Sequence, residues 1–127
     1  LGPTRPESQV EVSLADARGL GLVVPVRQSG DVEGTPGCKL VGPKGEVELE
    51  RGVIVASRHI HMSLEDAENF GVKDKDVVSV QTQGERGLLF NNVLVRANAA
   101  FKLEMHVDLE EGNAAGVKNG DLVELVK

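Results

Sequence analysis

Two histidines stand one residue apart in the segment 57–62, after an apolar run and directly before Ser63, which can cap a helix. In an extended chain the side chains at positions i and i+2 project to the same face, so His59 and His61 would present two imidazoles side by side. This arrangement suits a divalent metal ion such as zinc. Histidines at the surface or at a helix cap would show the same spacing, so the pair alone leaves both interpretations open.

The third and last histidine of the sequence, His106, occupies an equivalent corner, because it also lies just before a potential helix cap, Asp108. Three histidines with an open fourth position are typical of catalytic rather than structural zinc sites. A metal held in this way could polarise a carbonyl group or hold a phosphoryl oxygen. The sequence therefore predicts a metal site formed by His59, His61 and His106.

Two further residue types could take part in chemistry. Arg5, Arg58 and Arg96 are candidate anion clamps, since guanidinium matches the geometry of phosphate, although each could equally be a solvated charge. Cys38 is the only cysteine, which excludes an intramolecular disulfide and a cysteine-rich zinc framework. It has no histidine nearby in the sequence, so we predict a bystander role rather than a nucleophile.

A recurring unit positions these residues. Each copy predicts a short helix, with Ser or Asp as the N-cap and a glycine in the left-handed conformation at the end. The three copies span residues 13–22, 63–72 and 108–117, and their caps are Ser13, Ser63 and Asp108, with Gly21, Gly71 and Gly116 at the ends. The histidine corners immediately precede the second and third copies.

Alternating or β-branched runs between turns predict strands. They lie at 9–12, 38–41, 46–49, 52–56, 77–82, 88–96, 102–107 and 122–126. The expected fold is mainly β: a small β-barrel with short capping helices, plus the remnant of a similar barrel before it. The polar, turn-rich segment 27–36 is interpreted as a connection between domains, which assigns residues 1–30 to the remnant and 31–127 to the second barrel domain.

Composition limits the partners. The 127 residues carry a formal net charge of −6 and only 2% aromatic residues, which disfavours nucleic-acid binding. No apolar run reaches the length of a membrane span and no signal peptide is visible, so a cytoplasmic setting without a membrane partner is expected. The first residue is not Met, and we expect the natural N-terminus to lie upstream.

Several spaced segments resemble the PduL family of phosphate acyltransferases, also called phosphate propanoyltransferases or phosphotransacylases. The resemblance lies in segment 57–74, in 92–96, in 103–108 with 113–116, and in 1–5 with 9–13. It extends over essentially the whole chain, as the C-terminal portion of such a protein. It implies reversible acyl transfer between acyl-CoA and phosphate, with a short acyl group such as propanoyl or acetyl, and it leaves residence in a bacterial microcompartment open.

The resemblance also implies roles for single residues. The three histidines would bind one zinc ion, and Glu11 would help to bind a second. Arg5 and Arg96 would be catalytic, and CoA would lie beside His106 and Asn113. The positions that match the surroundings of the bound phosphate are Arg5, Gln9, Ser29 and Arg96.

One departure from the family pattern is clear, because the chain lacks the second His-x-His that the family carries in its first domain. We expect a missing first-domain segment, or a second chain, to supply those ligands, and a homo-oligomer is left open. Two alternatives remain: a metal-dependent hydrolase of thioesters or phosphoesters, and an inactive β-barrel fragment for binding or assembly.

Overall fold

Short strands joined by tight turns make up most of the structure, as the β-branched runs predict. The computed structural model describes Gly2 and residues 4–127, so Leu1 and Pro3 of the family-like segment 1–5 lie outside the described residues. Strands account for 34% of the chain and helices for 16%, which confirms the mainly β class. The chain forms two compact units, Leu1–Ser57 and Arg58–Lys127.

Unit 1 contains a three-stranded parallel sheet and a hairpin. Strand β5 (Val53–Ala56) lies between β1 (Val10–Glu11) and β2 (Val26–Arg27), and both neighbours run parallel to it. The hairpin joins β3 (Cys38–Gly42) to β4 (Gly45–Leu49). Helix α1 (Leu14–Gly19) contributes Ala17 to a small aliphatic core, which also contains Val24, Val53 and Val55.

Unit 2 is a curled, half-barrel sheet of five strands with two short helices among its described residues. The sheet order is β10 (Glu124–Val126), β7 (Val77–Gln81), β8 (Leu89–Ala97), β6 (His59–Met62) and β9 (Glu104–His106). Strand β6 runs parallel to β8 and antiparallel to β9. Its alternate residues Ile60 and Met62 enter the core with Val80, Val93 and Val95, so the two histidines that alternate with them face the other side.

The predicted helix caps are confirmed. Helices α2 (Leu64–Phe70) and α3 (Leu109–Ala115) begin at Ser63 and Asp108, and each has a reciprocal capping box with the acid three residues further on. Both helices end at a glycine in the left-handed conformation, with φ of 64° at Gly71 and 66° at Gly116. The chain therefore leaves each histidine strand through a firmly capped turn.

The segment 27–36 is half exposed, and two of its residues, Val32 and Thr35, are buried. Its first residue belongs to β2, a two-residue strand that the sequence patterns do not predict. Thr35 is buried; its hydroxyl donates to the Val32 carbonyl at 2.6 Å and accepts from the Gly52 amide at 2.9 Å. The compact units divide the chain after Ser57, whereas the proposed domains 1–30 and 31–127 are a different division that stays a prediction.

A helix of the length and apolar character needed to cross a membrane does not occur among the described residues.

Candidate functional site

Strand register brings the three histidines to one face of the unit 2 sheet. His59 and His61 point the same way because they are two residues apart in β6. Across the antiparallel pair, His59 is opposite His106, and His61 is opposite Glu104. On the other side of β6, His61 is opposite Arg96 of β8. Residues from three neighbouring strands therefore meet above the centre of β6.

The three imidazoles form a nearly equilateral triangle. The ring centroids are 4.8 Å apart for His59 and His61, 4.9 Å for His59 and His106, and 4.8 Å for His61 and His106. One ring nitrogen from each lies within 4.8 Å of the others. Tetrahedral zinc with bonds of about 2.1 Å separates its ligand nitrogens by about 3.4 Å, so small side-chain rotations would close the set around one ion.

The electrostatics of the triangle favour a neutral imidazole at His61. Burial lowers the pKa of His61. The nearby His59, His106 and Arg96 lower it further, and Glu104 opposes the shift. Among the described residues, the His61 Nε2 atom is buried and has no hydrogen-bond partner. A neutral imidazole with a buried, unpartnered nitrogen suits metal coordination, because ligation requires a free lone pair. The residues present therefore fit a divalent metal ion.

Two neighbours support the histidine rings. Phe101 stacks on His61, with ring centroids 4.2 Å apart and an interplanar angle of 22°. Glu104 Oε1 lies 3.0 Å from His106 Nε2. Sequence reasoning missed both residues. The spacing of Glu104 two positions before His106 was an available signal, since it places both side chains on one strand face, whereas the Phe101 contact depends on tertiary packing.

Unit 1 holds a second group of the predicted residues: Arg5, Gln9, Glu11 and Ser29. The hydroxyl of Ser29 is its centre, accepting from Arg5 Nη2 at 2.9 Å and from Gln9 Nε2 at 3.0 Å. That hydroxyl donates to Glu11 Oε1 at 3.4 Å, and Gln9 Nε2 donates to the same oxygen at 2.8 Å. The Gly30 amide donates to Gln9 Oε1 at 2.7 Å and so anchors the Gln9 side chain. These four residues are called the polar cluster below.

Comparison with known proteins identifies the family. The family model described as phosphate propanoyltransferase matches residues 1–118. The chain belongs to this family. A phosphate propanoyltransferase of Thermotoga maritima is 55% identical over 128 residues, which cover 100% of this chain and 61% of that protein. Those of Salmonella typhimurium and Clostridioides difficile are 55% and 48% identical, over 94% and 100% of this chain and 57% and 61% of their own lengths.

The chain thus spans about three fifths of the length of these curated family members. Their shared name agrees with the resemblance found in the sequence. That name identifies no metal, so the support for a metal site comes from the histidine triangle itself.

Arg58, another candidate residue of this phosphate propanoyltransferase homologue, has structural partners. Arg58 Nε lies 2.7 Å from Glu111 Oε2, and the guanidinium carbon lies 5.2 Å from the centre of the Phe90 ring. Desolvation raises the pKa of Glu111, and it outweighs the opposing effects of the Asp108 backbone hydrogen bond and Arg58. Arg58 is therefore engaged within unit 2 and is not an uncommitted anion clamp.

Two further predicted residues have less to distinguish them. Cys38 is a half-buried free thiol that begins β3 and packs against the core of unit 1. Asn113 is an exposed residue of α3, and its backbone carbonyl accepts a hydrogen bond from Gly116 at 3.2 Å. The bystander role of Cys38 and the CoA contact of Asn113 stay predictions.

Proposed function

We propose that this chain forms part of a metal-dependent phosphate acyltransferase that interconverts acyl-CoA plus phosphate with acyl phosphate plus CoA. Propanoyl or acetyl would be the acyl group. The observation that carries the proposal is the triangle of His59, His61 and His106, found in a chain whose family is named for transfer of a propanoyl group to phosphate. We further propose that the chain acts together with a segment equivalent to the rest of its relatives' length.

The proposed reaction is a direct acyl transfer. A phosphate oxygen donates an electron pair to the thioester carbonyl carbon and forms the new C–O bond. The C–S bond then breaks, and its electron pair leaves with the CoA sulfur. The attacking phosphate releases a proton to solvent, and the sulfur takes one up, so protons balance. No acyl-enzyme forms in this scheme, because Cys38 has no histidine nearby in the sequence that would favour a nucleophilic role.

The three histidines would hold one divalent metal ion, most suitably zinc, through neutral imidazole nitrogens. When bound, such an ion supplies a Lewis acid that can stabilise negative charge on a carbonyl or phosphoryl oxygen. Phe101 and Glu104 keep the rings of His61 and His106 in place. Glu11 would contribute to a second metal site once further ligands are supplied by the missing segment or by a second chain.

Arginine residues would bind phosphate. Guanidinium can donate two parallel hydrogen bonds to a phosphate, and Arg5 already donates to the Ser29 hydroxyl, so its side chain is partly oriented. Gln9 and Ser29 would add neutral hydrogen bonds to the same anion. Arg96, opposite His61 in the sheet of unit 2, would also bind phosphate. His106 and Asn113 would contact CoA.

A chimeric enzyme tests this proposal. In it, the present chain replaces the matching part of the Thermotoga maritima relative, with the intact relative as the positive control. We expect CoA release from propanoyl-CoA that requires phosphate and yields propanoyl phosphate, detectable as its hydroxamate. CoA release without phosphate, giving free propanoate, would instead support a hydrolase. A folded chimera that contains metal and releases no CoA would contradict both activities and favour a binding or assembly role.

A further inference from the structure

One carboxylate beside the histidine triangle has a geometry that the proposed ligand set does not use. Glu104 and His106 are the first and last residues of β9, and both project from the same face of the sheet. Glu104 Oε1 lies 3.0 Å from His106 Nε2. The group of ligand atoms that lie within 4.8 Å of one another contains the three histidines without Glu104. Glu104 therefore contacts one proposed metal ligand, His106, without being a ligand itself.

The hydrogen bond constrains the imidazole of His106. A carboxylate offers only acceptor oxygens, so the ring nitrogen that meets it must carry the hydrogen. In a neutral imidazole the other nitrogen, Nδ1, then holds the lone pair. A metal ligand has to present a lone pair, and an imidazole free to exchange its two tautomers presents the required one only part of the time.

We infer that Glu104 is a positioning residue that fixes the tautomer and ring orientation of His106, so that Nδ1 is the nitrogen available to the metal. This inference rests on the proposed function, since it assumes that the histidine triangle holds an ion. Carboxylates that hydrogen-bond the second nitrogen of a ligand histidine commonly have this effect on metal sites.

The expected effect is modest. The side chains of Glu104 and His106 are 60% and 43% exposed, and an exposed ion pair contributes little to folding stability. Truncation of Glu104 should therefore leave the fold intact and weaken metal binding through His106. Loss of such an outer carboxylate weakens metal binding by roughly 10- to 100-fold, and the exposure places this site near the tenfold end.

The chain offers a matched control. Glu124 is the first residue of β10, another three-residue strand, at the opposite edge of the same sheet. Substitution of Glu124 removes the same charge and the same side-chain type without touching His106. Glu104→Gln is the conservative variant, because its amide oxygen can still accept a hydrogen bond from Nε2.

The experiment measures zinc affinity by competition with a chromophoric chelator for the 127-residue chain and its Glu104→Ala, Glu104→Gln and Glu124→Ala variants. We expect about tenfold weaker binding for Glu104→Ala, a smaller loss for Glu104→Gln, and no change for Glu124→Ala. Nitrogen-15 NMR of the metal-free proteins should show the Nε2–H tautomer of His106 in the unsubstituted chain and in Glu104→Gln, and mixed tautomers in Glu104→Ala.

Several outcomes would overturn the inference. Equal zinc affinity in Glu104→Ala and the unsubstituted chain would do so while leaving the proposed metal centre in place. Tighter binding in Glu104→Ala would mean that the carboxylate competes with the metal for Nε2. Equal weakening in Glu124→Ala would indicate a general charge effect. Failure of the unsubstituted chain to bind zinc would refute the metal centre itself, and the inference with it.

Discussion

The side chains of the histidine triangle in unit 2 and of the polar cluster in unit 1 are held in position by different interactions. Short, stiff imidazoles on adjacent strands are fixed by sheet register, and the Nε2 atom of His61 is buried. The polar cluster consists of exposed Arg5 and Glu11 with half-buried Gln9 and Ser29, and hydrogen bonds that converge on the Ser29 hydroxyl hold it together. The first arrangement suits a metal ion, which requires defined ligand positions, whereas the second can adjust around a phosphate.

The largest expected effect is the loss of bound metal when the histidine triangle is removed. The double substitution His59→Ala and His61→Ala removes the two proposed ligands on β6 and leaves only His106, so bound zinc should fall from about one ion per chain to none. Elemental analysis after dialysis measures the metal, and circular dichroism checks the fold. Ser79→Ala with Gln81→Ala, on β7 of the same sheet, is the control. Unchanged metal content in the histidine variant would refute the site.

The next effect tests one arginine of each region as a phosphate ligand. Arg96→Lys in unit 2 and Arg5→Lys in unit 1 each keep the charge but lose the bidentate fork. Each should raise the KM for phosphate more than that for acyl-CoA, by an equivalent of roughly 1–3 kcal/mol.

Steady-state kinetics of the chimeric enzyme, with phosphate and acyl-CoA varied separately, make the measurement. Arg18→Lys, on helix α1, is the matched control. Equal effects on both KM values would point to a general disturbance. A rise for acyl-CoA alone would reassign these arginines to the phosphates of CoA.

A smaller effect is expected in the pH dependence of stability, where the partly buried carboxylate of Glu111 is compared with the exposed one of Glu11. Burial raises the pKa of Glu111, so the folded state holds its proton more tightly than the unfolded state. This group therefore favours folding below its unfolded pKa, and that contribution is lost as the pH rises through the folded pKa. Glu111→Gln should flatten the corresponding part of the curve of Tm against pH, from about pH 4.5 upward.

Thermal unfolding across this pH range makes the comparison, with Glu11→Gln of the polar cluster as the exposed counterpart. Parallel curves for Glu111→Gln and the unsubstituted chain would mean that the Arg58 ion pair cancels the cost of burial.

The smallest expected effect concerns Cys38. Its half-buried thiol packs against the core of unit 1, so Cys38→Ala should cost some stability and leave kcat of the chimeric enzyme within a few-fold of the parent. The matched comparison is Val41→Ala in the same strand. A loss of kcat beyond about a hundredfold, with the fold intact, would instead implicate Cys38 in a covalent or metal-ligand role.

Local chemistry explains why much of this structure was predictable. Ser63, Asp108, Gly71 and Gly116 define helix ends through side-chain and backbone preferences that act over a few residues. The shared direction of His59 and His61 likewise follows from the two-residue period of a strand.

Long-range pairing explains what the sequence did not reveal. Strand β2 has only two residues, Val26 and Arg27, and exists because β5 lies beside it. The stacking of Phe101 on His61 depends on where the loop before β9 folds. The opposition of His59 and His106 depends on the register of β6 with β9, which no local pattern specifies. The histidines at equivalent corners suggested this convergence without fixing it.

The position of β9 at an edge of the unit 2 sheet has a consequence for folding fidelity. A slip of β9 by one residue along β6 would turn His106 toward the aliphatic core and Met105 toward solvent. Such a misfolded sheet would bury an imidazole without a partner and would also be unable to complete the three-nitrogen set. A bound ion would then stabilise only the correctly aligned sheet, so metal binding would favour the native register of β9 over the slipped one.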